Sequence, residues 1–248
     1  MIVLRDEKRI AQLARVGQIT SLVGLLVLVA GLLIIFFTSN PNIFVFQLAA
    51  LVVGFALSQV GLGLSHRYVR RPRMDQVLDK SAGKFARKDG RLYHYLLPAP
   101  HVLLLPSGVL VLVAKYQTGR ISAQGDRWQQ KGLGLRRYFG RESLGNPTRE
   151  AETQAARVAA LIESAAPAGA VPVLPVIVFT TPNLDSLDVK ESRIPATHAA
   201  KLAAVLRQQT ATWKPLPKAD YDAVRAAFDA KASHLLEERV EETGDGDA

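Results

Sequence analysis

Two stretches of the chain break the usual mixing of apolar and polar positions: residues 19–37 and 43–64 run without a single charged side chain. An α-helix rises 1.5 Å per residue and needs about 20 residues to cross a hydrocarbon core of roughly 30 Å. Each stretch is long enough, and core helices of soluble domains seldom run so far without a polar face. Between them Thr38-Ser39-Asn40-Pro41-Asn42 is turn chemistry, with room only to reverse direction. The pattern predicts a transmembrane hairpin over 19–64 whose two ends lie on one side. A cleaved leader is the weaker reading, because the first apolar run is too long and no small-x-small pattern follows it. Ala50, Gly54 and Ser58 recur at four-residue spacing on the second helix. Small residues there let helices approach closely, within the hairpin or between two copies in a homo-oligomer.

From Met74 the pattern shortens. A helix is expected over 74–84, strands over 91–97 and 101–105, and a tight turn at Pro106-Ser107-Gly108. Val109–Ala114 is continuously apolar, as a central strand buried on both faces should be. A further strand is expected over 119–124, and residues 131–141 read as a basic loop or irregular helix. Asn146-Pro147 opens a helix over 148–164, with Glu150 and Glu152 suited to its positive end and Ala155, Val158, Ala159 and Ile162 forming its apolar stripe. Pro172 and Pro175 confine the next strand to 176–179. A loop then runs through Pro182 and Asp188, followed by helices over 197–208 and 218–239 and an acidic tail. The expected class is α/β (α+β), a mixed sheet flanked by helices behind the hairpin. The segments are 1–18 as a juxtamembrane piece, 19–64 as the hairpin, 65–90 as a basic linker, 91–215 as the soluble domain and 216–248 as a C-terminal helix and tail.

Charge sharpens this picture. The formal net charge is +9, and residues 66–141 hold sixteen Lys/Arg against four acidic residues. Arg5, Lys8, Arg9 and Arg15 precede the first apolar run, Arg67, Arg70, Arg71 and Arg73 follow the second, and the turn between has no charge. The positive-inside bias therefore predicts an integral membrane protein with both termini and the soluble domain in the cytosol. The chain has no cysteine, which removes disulfides, thiol catalysis and thiolate metal sites. Its five histidines, at 66, 94, 101, 198 and 234, show no metal-ligand spacing and read as structural or surface groups.

His101-Val-Leu-Leu-Leu-Pro-Ser-Gly-Val109, the strand ending Leu112-Val-Ala-Lys115, Tyr116-Gln-Thr-Gly119, Trp128, Asn146-Pro147, Gln154 and Val178-Phe179 stand in an order that resembles the nuclease-related domain, NERD, over residues 92–208. The resemblance implies a restriction-endonuclease-like fold and, in active members, an Asp followed by Glu-x-Lys. Two carboxylates there hold a hard cation such as Mg²⁺, and the lysine, two residues from the glutamate on a strand, joins them on one face. The expected Asp position is Pro100 and the expected Glu position is Val113, so only Lys115 remains as a catalytic remnant. Neither replacement has a side-chain oxygen. Asp75, Asp79, Asp89, Asp126, Glu150 and Glu152 are the acids that a relocated site would have to use.

The sequence therefore predicts a catalytically inactive domain that binds nucleic acid or anionic lipid, with no metal and no cofactor. The binding residues would be Arg67, Arg70, Arg71, Arg73, Arg120, Arg127, Lys131, Arg136, Arg137 and Arg141, the later ones beside Trp128 and Tyr138. One alternative is an adaptor whose C-terminal helix and tail engage a protein partner. A second is a divalent-metal nuclease with relocated carboxylates, the case that would need Mg²⁺.

Overall fold

The computed structural model describes residues 1–36, 43–86, 89–132, 143–166, 171–182, 184–233 and 235. Two compact units separate: a hairpin, Glu7–Arg73, and a domain made of Met1–Asp6 together with the described residues from Met74 onward. The acidic tail, the turn at 38–42 and residues 133–142 lie outside the described residues.

In the hairpin, α1 spans Glu7–Leu33, continues as a 3-10 turn through Ile34–Phe36, and is followed by α2 at Ile43–Tyr68. Both helices extend past the apolar runs at their polar ends, which an apolar pattern alone does not mark. Gly17, Gly24 and Gly31, seven residues apart, are buried on α1, and Gly54 and Gly61 are buried on α2. A Cβ at Gly24 would lie 2.6 Å from the Ser58 amide nitrogen, and one at Gly54 would lie 2.9 Å from the Gly24 carbonyl. The backbones meet almost directly. The Ala50-Gly54-Ser58 stripe is thus taken up against α1 inside the hairpin. Large side chains, among them Leu22, Leu26, Phe44 and Phe46, point outward. Both helices are long and apolar enough to cross a membrane.

The domain is built on a six-stranded mixed sheet. Its strands are, in spatial order, β1 (Ile2–Arg5), β2 (Arg91–His94), β3 (His101–Leu105), β4 (Gly108–Lys115), β7 (Val173–Phe179) and β9 (Ala196–His198). β2, β3 and β4 form an antiparallel meander; β1 joins β2 and β7 joins β4 in parallel. Helices α3 (Met74–Ala86) and α5 (Leu202–Gln209) pack on one face, with Leu92, Leu103, Leu110 and Leu112. Helices α4 (Pro147–Ala165) and α6 (Lys218–Ala230) pack on the other, with Tyr93, Val102, Val111 and Val113. A second sheet has β5 (Gly119–Gln124) at its centre, between β6 (Arg127–Lys131) and β8 (Leu184–Lys190). Strand β4 is buried along both faces, and the turn before it needs glycine: Gly108 has φ +148°, and a Cβ there would lie 2.7 Å from Pro172 and Trp213.

Several elements differ from the sequence expectation, each for a local reason. Residues 2–5 are an edge strand of the domain, so the hairpin is an insertion between β1 and α3. Strand β7 begins at Val173 despite Pro175. The Ile177 amide points to the β9 side, where it bonds the Pro195 carbonyl at 2.9 Å. Pro175, of the same parity, directs its missing N–H to that side before β9 begins. The expected loop through Asp188 is β8, whose pairing with β5 shifts register at Gly119/Arg120 and so hides the two-residue period. Thr197 and His198 end β9 and are not helical; α5 starts at Leu202. Helix α6 belongs to the domain core, with Val224 and Phe228 fully buried.

Candidate functional site

Lys115 ends β4 on the α4 face of the sheet. Strand alternation carries it there with Val109, Val111 and Val113. Helix α4 opens against it: Asn146 caps the helix, its Oδ1 accepting from the Arg149 amide at 3.1 Å, and Pro147 sets the first turn. That geometry delivers Glu150 to the lysine, and the Lys115 ammonium forms an ion pair with its carboxylate. The other Glu150 oxygen accepts from Gln154 Nε2 at 3.1 Å. Thr180 donates both its amide (2.8 Å) and its hydroxyl (3.2 Å) to the Lys115 carbonyl, fixing the strand end. Lys115 is only 8 % exposed. It is held by one acid and enclosed.

Position 113 is filled by Val113, buried in the apolar cluster with Ala151, Ile177 and Phe179. Pro100 lies in the β2–β3 connection, where its carbonyl accepts the Tyr95 amide at 2.7 Å. Of the acids a relocated site would use, Glu150 meets Lys115, and the others lie or bond elsewhere. Asp75 and Asp79 lie on α3, across the sheet. Asp126 and Glu152 both bind Arg193, at 2.7 and 3.1 Å, and Asp89 is exposed in a turn. Among the described residues no group of three or more His, Asp or Glu is placed to hold a metal ion. Among the described residues Glu150 is the one acid bonded to the Lys115 ammonium, so they place no second carboxylate beside it for a Mg²⁺ ion.

The basic residues fall in three places. Arg120, Arg127 and Lys131 are exposed on the outer face of the β5–β6 hairpin, with Arg120 directly opposite Lys131. Trp128 points the other way: its indole N–H donates to Thr148 Oγ1 at 2.8 Å, and its ring lies 6.1 Å from that of Phe179. It therefore offers no stacking surface on the basic face. Arg67, Arg70, Arg71 and Arg73 lie in the hairpin unit, where Arg73 grips both oxygens of Glu7 at 2.9 and 3.0 Å. Arg136, Arg137, Tyr138 and Arg141 lie outside the described residues.

Sequence reasoning missed a buried polar chain on the α3 face. Arg5, His94 and His101 are consecutive partners across β1, β2 and β3. Arg5 Nε lies 2.7 Å from Asp75, and a second Arg5 nitrogen binds Asp79. Asp79 also bonds His94 Nε2 at 2.8 Å, and His94 Nδ1 lies 2.7 Å from His101 Nδ1. Burial raises the Asp79 pKa, but His94 and Arg5 together hold the carboxyl below its ordinary value. The signal in the sequence was the four-residue spacing of Asp75 and Asp79, which puts both carboxylates on one helix face. A second buried set, on the α4/α6 face, ties α6 to the sheet. Tyr93 and Arg91 donate to Asp229 at 2.8 and 3.0 Å; burial and then the carboxylate push the Tyr93 phenol far above its usual range. His198 bonds the Thr181 carbonyl through Nε2 at 2.9 Å and accepts the Ala200 amide through Nδ1, as a structural histidine.

A meander flanked by α3 and α4 and extended by a parallel strand defines a mixed α/β domain consistent with a nuclease-like fold. Residues 80–180 match the family model of the nuclease-related domain, NERD. No curated protein and no solved structure matches. The matched stretch contains Lys115, Glu150, His94 and His101; Arg5, Asp75 and Asp79 lie before it.

Proposed function

We propose that this protein is a membrane-anchored, catalytically inactive nuclease-related domain that serves as a binding module for a phosphate-rich partner, nucleic acid or anionic lipid. The observation that carries the loss of catalysis is the state of Lys115. Its ammonium is engaged by Glu150 while valine and proline stand where metal-binding oxygens are needed. Binding rests on Arg120, Arg127 and Lys131, which present three exposed cations on one strand pair with no carboxylate between them on β5 or β6. With no outward aromatic among the described residues of β5 and β6, this face suits phosphates better than unstacked bases.

Anchoring rests on the two apolar helices with their outward Leu and Phe side chains. The cytosolic orientation rests on Arg/Lys at both hairpin ends. The insertion of the hairpin between β1 and α3 agrees with this, since both of its ends connect to one domain. It also dictates the form of the experiment, because a fragment starting at Met74 would lack β1.

The full chain, reconstituted in nanodiscs of neutral lipid, is titrated with salt against DNA, RNA and separately against anionic vesicles. Binding should weaken steeply with salt, and Arg120→Ala with Arg127→Ala and Lys131→Ala should weaken it further. Undiminished binding in that triple variant would reject the assigned face. Mg²⁺- or Mn²⁺-dependent cleavage that is lost in Lys115→Ala would reject the inactive reading.

A further inference from the structure

The chain of polar groups on the α3 face has a property that ordinary ion pairs lack: its middle link accepts only one added proton. Asp79 is a carboxylate, so His94 must present an N–H at Nε2 to bond it. With His94 neutral, its Nδ1 is a lone pair and accepts N–H from His101 Nδ1, 2.7 Å away. One added proton is tolerated, because a cationic His94 can donate from Nδ1 to the lone pair of His101. A second proton puts N–H against N–H at hydrogen-bonding distance, and the rings must part.

The charges around the pair point the same way. The described groups around it include Arg5 from β1, Asp79 from α3, Asp75 beside Arg5, and Tyr95 from the β2–β3 connection, whose ring lies 5.0 Å from that of His101. With one proton on the pair, two cations meet two carboxylates. With two protons, three cations in adjacent register positions meet the same two carboxylates. Asp75 and His94 are fully buried and His101 is 3 % exposed, so water screens little of this imbalance. The connection joining the two histidines is itself strained: Tyr95 holds a left-handed φ of 62°.

We propose that this chain is an acid-sensitive latch, in which a second proton on the His94–His101 pair frees strand β1 from the edge of the sheet. β1 is the segment exposed to that event. It is four residues long, occupies the sheet edge, pairs with β2 alone among the described strands, and has Arg5 as its side-chain link to the chain, directly opposite His94. Because Asp6 leads straight into α1, the strand is also the domain's N-terminal attachment to the hairpin. Acidification of the compartment facing the domain would thereby loosen one of its two covalent approaches to the membrane segment. Asp79 does not mimic the effect. Its carboxyl titrates below its ordinary value near 3.8, so it stays charged at pH 5.

Hydrogen–deuterium exchange of the full chain in nanodiscs tests this at pH 7.5 and pH 5.0, with intrinsic exchange rates corrected for. Protection of the β1 amides should fall at least tenfold at pH 5.0, while that of β4 stays within twofold. His101→Phe removes the opposing ring nitrogen at similar volume and should abolish the pH dependence of β1. Unchanged β1 protection in the natural sequence, or an equal loss in β1 and β4, overturns the latch without recourse to the variant. A selective loss that persists in His101→Phe overturns it as well.

Discussion

The hairpin and the domain solve opposite packing problems with the same amino acids. In the domain, Leu103, Leu104, Leu110 and Leu112 are fully buried, and a buried polar group such as His94 bonds Asp79. In the hairpin, Leu22, Leu26, Phe44 and Phe46 face outward, and the residues between the helices are Gly17, Gly24, Gly31, Gly54 and Gly61. The domain is held by removing apolar surface from water. The hairpin gains nothing of that kind among side chains that remain outside; it is held by close van der Waals approach of two backbones. One fold buries its large apolar side chains and the other turns them outward, as a hydrocarbon surrounding would allow, and substitutions should separate the two.

The largest effect is expected where the domain buries charge. Arg5→Met removes the guanidinium facing Asp75 and Asp79, and breaking such a buried pair from one side typically costs about 3–5 kcal/mol. Chemical denaturation monitored on the domain's tryptophans should report it. The same network sets an acid limit. The folded Asp79 carboxyl titrates below its unfolded value, so its contribution is complete above about pH 4 and disappears as pH falls through the lower folded value. Arg5→Met should flatten that part of the stability–pH curve.

Next comes apolar burial itself. Leu103→Ala opens a cavity in the α3/α5 face and should cost about 2–5 kcal/mol, read as a shift of the denaturation midpoint at constant slope.

The hairpin should respond to the reverse change, from small to large. Gly24→Leu must push against the Ser58 amide and the Gly54 carbonyl, both backbone atoms that cannot rotate away. Overpacking of this kind costs about 1–3 kcal/mol. A Cβ at Gly63 would meet nothing within 4 Å, so Gly63→Leu should leave the thermal melt of the detergent-solubilised hairpin unchanged. Equal melts for the two variants would refute backbone contact at Gly24.

How far the sequence carried this picture depended on the kind of signal. Apolar runs announced α1, α2 and β4 because their period, or its lack, survives in one dimension. β3 and β5 were legible to the residue, since Pro106-Ser107-Gly108 and Gly119 mark their ends. β1 was hidden because four residues before a charged helix look like a flank, and its partner lies at Arg91. The β8 bulge erased an alternation that Leu187 and Val189 would otherwise have shown. At the candidate site, Pro100 and Val113 were visible as letters without side-chain oxygens. That Glu150 engages Lys115 was not, because it depends on where the Asn146 cap aims α4. The histidine pair was opaque for a similar reason: His94 and His101 look like unrelated residues until the β2–β3 register sets them side by side.

The smallest predicted effect is the most diagnostic. Leu22→Ala deletes the same atoms as Leu103→Ala, from a side chain that is 58 % exposed. If the hairpin were a soluble helical pair awaiting a protein cover, trimming Leu22 would remove part of an apolar interface, and its cost would approach that of a core truncation once covered. In lipid the deleted atoms are replaced by acyl chains as apolar as leucine, so helix–helix packing loses almost nothing. The melt of the hairpin in nanodiscs should shift by the equivalent of less than about 0.5 kcal/mol, the range of substitutions that touch no special feature. A loss of about 2 kcal/mol or more there would mean that the outer surface of α1 is packed against protein and not lipid, and the contrast between the two units would have to be redrawn as two soluble folds.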